Sequence, residues 1–126
     1  MNRDAFTYKC PHCNDILNTN DHVHFVVREH SNSYDIYLSA EVGDYNYQVK
    51  PEISFETGTE LEFFCPHCNE NLKCEKYPDF VSIKLVISHA VDFEVLFSRK
   101  IGEQATYIIT QDGVEKYGAD KEVLKL

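Results

Sequence analysis

His22-Val23-His24-Phe25-Val26-Val27-Arg28 sets Val23, Phe25 and Val27 on one side of an extended chain. Tyr34-Asp35-Ile36-Tyr37-Leu38-Ser39-Ala40-Glu41-Val42 repeats the arrangement with Tyr34, Ile36, Leu38, Ala40 and Val42. Successive side chains of a strand point to opposite faces, so period two in hydrophobicity marks half-buried β structure, whereas a helix repeats about every 3.6 residues. Ser31-Asn32-Ser33 between the two runs reads as a turn, and Gly43-Asp44 closes the second run. This pair is a predicted β-hairpin.

The same period governs the rest of the chain. Tyr45, Tyr47, Val49, Ile53 and Phe55 share one parity, with Pro51 on the apolar side. A proline removes a backbone donor, which puts this strand at an edge or bends it there. Glu60 to Phe64 reads as a further strand, as do Val81 to Ile87 and Val91 to Phe97, with Ser88-His89-Ala90 as their short connection. Thr106 to Thr110 and Val114 to Tyr117 flank Asp112-Gly113, a strong hairpin turn. Only the tail, Ala119 to Leu126, admits one or two helical turns. The chain is therefore read as one all-β domain, 1-126.

One motif occurs twice: Cys10-Pro11-His12-Cys13 and Cys65-Pro66-His67-Cys68. Aromatic-rich lead-ins precede both copies, and Asn14-Asp15-Ile16-Leu17 and Asn69-Glu70-Asn71-Leu72 follow them. A Cys-x-x-Cys turn aims two sulfurs at one point, and two such turns complete a tetrahedron of thiolates. A shift of 55 positions superposes the motifs, Leu17 on Leu72 and Phe25 on Phe80, which suggests an internal duplication of 1-56 and 57-126 about a pseudo-twofold axis near the metal.

At these residues the chain resembles the zinc-ribbon class, in which paired Cys-Pro-x-Cys knuckles on hairpin tips grip one Zn²⁺. The resemblance covers the two motifs and their β context and extends to no specific family in the remainder. It implies Cys10, Cys13, Cys65 and Cys68 as ligands, Pro11 and Pro66 as stiffeners of the turns, and backbone N–H groups donating to the first sulfur of each pair. Two departures stand out. Asn14 and Asn69 occupy the place where such knuckles commonly carry Gly, and a long insertion separates Cys13 from Cys65. Asn is the residue after Gly that best tolerates a left-handed backbone. The insertion makes the expected site a clamp on a larger antiparallel β domain.

Four thiolates leave no open coordination position, so one structural zinc per chain is expected, with iron the nearest alternative in the same cage. Cys-Pro-His-Cys also looks like the active-site motif of periplasmic disulfide oxidases of thioredoxin fold, where thiol–disulfide chemistry uses a lowered cysteine pKa. That chemistry needs a helix beginning at the motif. Neither Asn14 to Asn20 nor Asn69 to Lys76 sustains a helical apolar period.

Other candidates carry weaker signals. His12 and His67 read as solvent-facing turn residues, and His22 and His24 share a strand face without a third ligand at a telling spacing. Cys74 lies on the strand leaving the second knuckle, where the first has Thr19, and reads as a small buried residue outside the ligand set. Glu52, Glu56, Glu60 and Glu62 read as a solvated strand face. Tyr34, Tyr37, Tyr45 and Tyr47 are a candidate interaction surface, because exposed sheet tyrosines bind well.

The formal charge is −9, from 12 basic and 21 acidic residues. Phosphate backbones are repelled unless basic residues cluster, and here only Arg99-Lys100 are adjacent. A patch gathered from Lys9, Lys73, Lys76, Arg99 and Lys100 would favour nucleic acid. No apolar run approaches the roughly 20 residues of a membrane span. Met1-Asn2-Arg3-Asp4 opens no signal-peptide hydrophobic region, and five cysteines suit a reducing compartment. The expectation is a cytoplasmic, non-catalytic zinc-binding β module with a protein partner. The alternatives are a nucleic-acid- or transcription-associated zinc-ribbon protein and a thiol–disulfide oxidoreductase.

Overall fold

The computed structural model describes residues 6–88 and 91–126. Among these there are ten strands and no helix: β1 (Thr7–Lys9), β2 (Asn18–Thr19), β3 (His22–Glu29), β4 (Asn32–Ser39), β5 (Tyr47–Lys50), β6 (Glu62–Phe64), β7 (Phe80–Ser88), β8 (Val91–Ser98), β9 (Thr106–Thr110) and β10 (Gly113–Tyr117). They form two antiparallel five-stranded sheets. One runs β1-β7-β8-β9-β10; the other runs β2-β3-β4-β5, with β6 also on β3. Among the described residues no helix is long and apolar enough to cross a membrane.

The hairpin expected from the Val23 and Tyr34 runs is β3–β4, with Phe25 opposite Ile36 and Val23 opposite Leu38. Its loop is tighter than expected. His30 takes a positive φ of 57° and Asn32 and Ser33 join the ladder. The inner parity of both sheets makes one core. Phe25 of β3 meets Phe97 of β8 at 5.6 Å between ring centroids, and Phe63 of β6 meets Phe97 edge-on at 5.4 Å. Full burial of such side chains contributes about 1.5–3 kcal/mol each.

The sheet containing β7–β10 is also covered on its second face. Leu96, Tyr107, Phe80, Ala105 and Cys74 form a separate buried cluster there, with Leu124 packed against it. The tail, which admits a helical turn or two by sequence, runs as turns over this face. Tyr107 Oη donates to the Lys121 carbonyl at 2.8 Å and accepts from Leu124 N at 3.2 Å. Anchoring at these points, rather than internal helical bonds, holds a segment too short to be helical alone.

Two other expectations shift. The strand read from Tyr45 to Phe55 is only Tyr47–Lys50, because Pro51 has no N–H to continue the ladder. Past it Ile53 is exposed while Phe55 returns to the core. The connection expected at Ser88-His89-Ala90 falls on residues 89–90, outside the described residues.

The knuckles sit between the sheets and exchange partners. On β3, the outgoing leg of the first knuckle places Asn18 opposite Val23, and the incoming leg of the second places Phe64, Phe63 and Glu62 opposite Val26, Val27 and Arg28. On β7, the outgoing leg of the second knuckle places Lys73 opposite Val81, and the incoming leg of the first places Lys9, Tyr8 and Thr7 opposite Lys84, Leu85 and Val86. The correspondence has a different offset from that expected beyond the knuckles. Leu17 O accepts from His24 N, whereas Leu72 O accepts from Ser82 N. Phe25 thus corresponds to Ile83, not to Phe80, because the second connection is three residues longer.

Candidate metal centre

Each knuckle is a hairpin whose tip folds back on its first cysteine. Cys10 N donates to Asp15 O at 3.0 Å and Cys10 O accepts from Asn14 N at 2.9 Å; Cys65 does the same with Glu70 O at 3.0 Å and Asn69 N at 2.9 Å. Closing the tip requires a left-handed residue. Asn14 has φ 66° and Asn69 φ 64°, so both asparagines take the conformation for which glycine is the usual choice. The turn aims amides at sulfur. His12 N and Cys13 N lie 3.3 and 3.5 Å from Cys10 Sγ, and His67 N lies 3.3 Å from Cys65 Sγ. N–H groups so placed stabilise negative charge on the thiolate.

The four sulfurs converge. All lie within 4.8 Å of one another, and Cys10 to Cys68 and Cys13 to Cys65 are each 3.8 Å. A metal bonded tetrahedrally to four sulfurs at about 2.3 Å holds them about 3.8 Å apart. A disulfide needs about 2.05 Å, and all five cysteines are free thiols. The donor set therefore fits one metal ion. Cys10 and Cys65 are fully buried, and Cys13 and Cys68 are half-buried. Burial pushes the Cys65 thiol up to about 12. Thiolates in this cage need a cation to hold them, and a divalent ion leaves a residual charge of about −2 for the surrounding amides to share.

The remaining candidates are dispersed. His12 and His67 face solvent. His24 Nε2 is 2.8 Å from Asp35 Oδ1 and its ring stacks on Tyr37 at 4.6 Å, which accounts for it as part of an outer sheet face. Among the described residues the four-cysteine group is the one cluster able to hold a metal, and neither His22 nor His24 belongs to one. Cys74 is buried in the second cluster, away from the cage. Glu52, Glu56, Glu60 and Glu62 are all exposed.

The four tyrosines do not form one face. Tyr34 packs edge-on against Phe55 at the margin of the core, and Tyr37 lies on the outer face with Lys50 Nζ 5.5 Å from its ring centre. Tyr45 reaches across to the other sheet, its Oη 2.8 Å from Thr106 Oγ1 and donating to Tyr117 O at 3.3 Å. Tyr47 is the most exposed, at 39%. The Tyr45–Thr106 link was not anticipated, because residues 61 apart meet there through sheet packing and no local pattern encodes that.

The basic residues are likewise divided. Arg99 donates to Pro78 O and Leu61 O and lies 3.6 Å from Glu60, while Lys84 lies 3.8 Å from Asp92. Comparison with protein-family models, curated proteins and solved structures gave no match.

Proposed function

We propose that the protein is a non-catalytic β module stapled by one structural zinc ion and that it acts by binding another protein. The observation that carries this reading is the convergence of Cys10, Cys13, Cys65 and Cys68 at tetrahedral spacing between two sheets that share the legs of both knuckles. Zinc favours four thiolates without a geometric preference of its own, and four protein ligands leave no position for substrate. Iron would fit the same sulfurs. The corresponding registers of the two knuckle-and-hairpin units support the further reading that the halves arose by duplication about a pseudo-twofold axis at the metal.

A protein partner is favoured over nucleic acid by the charge of −9 and by the pairing of Arg99 and Lys84 with carboxylates. Strand β5 is a sheet edge that begins with the exposed Tyr47, which offers unpaired backbone groups and an aromatic anchor to an added strand. Among the described residues no helix begins at either knuckle, as the redox reading would need. A reduced cage fits a cytoplasmic setting.

Elemental analysis of protein purified without added metal tests the first half of this reading. One zinc per chain is expected; iron, or less than half an equivalent of any metal, would overturn it. Affinity capture with and without nuclease, repeated with Tyr47→Ala, tests the second half. Partners that survive nuclease and depend on Tyr47 support it, and partners lost to nuclease overturn it in favour of nucleic acid.

A further inference from the structure

Between the two sheets, bordered by the Phe25, Phe63 and Phe97 rings, lies a cleft of about 390 Å³. That volume falls within the roughly 300–1,000 Å³ typical of small-molecule sites. Its inner walls are apolar: Phe25 and Ile36 from one sheet, Val95 and Phe97 from the other. Its rim is formed by the segments 39–47 and 98–104. Core side chains elsewhere in this protein interdigitate, so a space of this size between two packed sheets departs from the close packing of protein interiors. Apolar walls give water few partners, and an apolar guest would gain what water cannot.

The polar groups of the cleft restrict the guest. Glu41, Asp44 and Glu103 line it against Arg99 and Lys100. The Arg99 guanidinium is turned away to Glu60 and the carbonyls of Leu61 and Pro78. Lys100 then stands as the one cation of the rim without an ion pair among the described residues, against three carboxylates, so the rim is acidic on balance. Asp44 accepts from Asn46 and Glu103 from Ser98, whereas the exposed Glu41 carboxylate has no hydrogen bond or ion pair among the described residues. Deeper in, Tyr45 Oη donates to Tyr117 O, so Thr106 is the donor in the 2.8 Å Tyr45–Thr106 bond. A donating Thr106 hydroxyl keeps its lone pairs for a guest, since an oxygen of this type accepts as well as donates.

We infer that this cleft is a binding site for a small amphiphile, apolar body inward, whose polar end is uncharged or cationic and donates hydrogen bonds. An alcohol, amide or protonated amine meets both conditions. A carboxylate or sulfonate meets neither, because it would face Glu41 and present only acceptors to Thr106. The site is separate from the sulfur cage and does not rest on the zinc reading.

Two fluorescent probes that share one aromatic body test it on the metal-loaded 126-residue chain. N-phenyl-1-naphthylamine is neutral with an N–H donor; 1-anilinonaphthalene-8-sulfonate adds an anionic sulfonate. The neutral probe is expected to saturate at one per chain and to bind at least tenfold tighter than the sulfonate. Leu38→Trp, which fills the cleft from β4, is expected to weaken the neutral probe at least tenfold while metal content and thermal transition are retained. Val42→Phe, on the rim segment between β4 and β5 rather than in a strand, serves the same purpose if Leu38→Trp does not fold. Glu41→Lys is expected to narrow the difference between the probes several-fold. Absence of saturable binding, or binding unchanged by either filling variant with a native transition, overturns the site. Equal affinity for the two probes overturns the assigned ligand class.

Discussion

Cys10 Sγ lies 3.8 Å from Cys68 Sγ, across the two knuckles and 58 residues along the chain. This crossing and the 3.8 Å approach of Cys13 to Cys65 tie one knuckle to the other, so a metal there closes a long loop as well as two short turns. In small zinc domains the metal supplies on the order of 10 kcal/mol of apparent folding free energy, comparable with the whole net stability of a domain. Cys65→Ser is expected to lose the metal and the cooperative thermal transition together. Cys74→Ser is expected to keep the metal and lower stability by about 1–3 kcal/mol, the cost of an unpartnered hydroxyl in an apolar cluster. Metal analysis and calorimetry on both variants decide the matter, and metal loss from Cys74→Ser would refute the ligand set.

The C-terminal segment is fixed by a close backbone approach at Gly118. A Cβ added there would meet Gln104 O at 2.1 Å, and the φ of 103° already disfavours any side chain. Gly118→Ala is expected to cost on the order of 3 kcal/mol or more, combining backbone strain with steric displacement. Gly43 has φ 93° but open space around its Cβ position, so Gly43→Ala should show the strain alone, about 1–2 kcal/mol. Urea unfolding of the pair measures the difference; equal losses would mean that the contact with Gln104 is not formed in solution.

Tyr107 links that same segment to stability at alkaline pH. Burial, with the Glu103 and Glu122 carboxylates nearby, holds its hydroxyl above the ordinary tyrosine range. The neutral form is therefore favoured in the folded state. Its contribution is complete below the unfolded value of about 10 and is lost as pH rises through the folded one. Tyr107→Phe removes that dependence and leaves Lys121 O and Leu124 N without their partner, about 1–2 kcal/mol less stable at neutral pH. The stability curves of parent and variant should converge between neutral pH and the alkaline range, with a residual slope from Tyr8, Tyr45 and Tyr117, whose hydroxyls are also raised. Parallel curves would show that Tyr107 does not titrate differently on folding.

The all-β fold and the four sulfurs were legible because their signals are local. Alternation at Val23, Phe25 and Val27 needs only one strand to be read, and Cys-x-x-Cys fixes its own turn. What escaped was what depends on partners. The edge position that Pro51 implied holds for β5, but the full length of the run did not, and the shift of 55 positions placed Phe80 on Phe25 although a three-residue difference in connection length puts Ile83 there. The four tyrosines look alike in sequence, but the packing of the second sheet draws Tyr45 inward and leaves Tyr47 outside. The cleft between the sheets has no sequence signal at all, since its walls are ordinary core residues.

The exchange of legs makes the halves interdependent. The edge of β3 near Val26 and Val27 is covered by Phe64 and Phe63, and the edge of β7 near Leu85 is covered by Tyr8. A chain of residues 1–56 would keep β3 and β4 but lose β6, half of the sulfur cage and the fully buried Leu61. Residues 1–56 keep β2 to β5 and residues 57–126 keep β7 to β10, but each sheet alone would expose to water the inner face it now buries against the other. Neither 1–56 nor 57–126 is therefore expected to show a cooperative transition alone, with or without zinc. Mixed with one equivalent of zinc, the two are expected to recover it, because each supplies two sulfurs and one strand leg to the other. Heteronuclear NMR of each labelled fragment reads this directly: dispersed amide signals should appear only in the zinc-loaded mixture. Native-like dispersion in either fragment alone would show that the exchanged legs are dispensable and that each half folds on its own core.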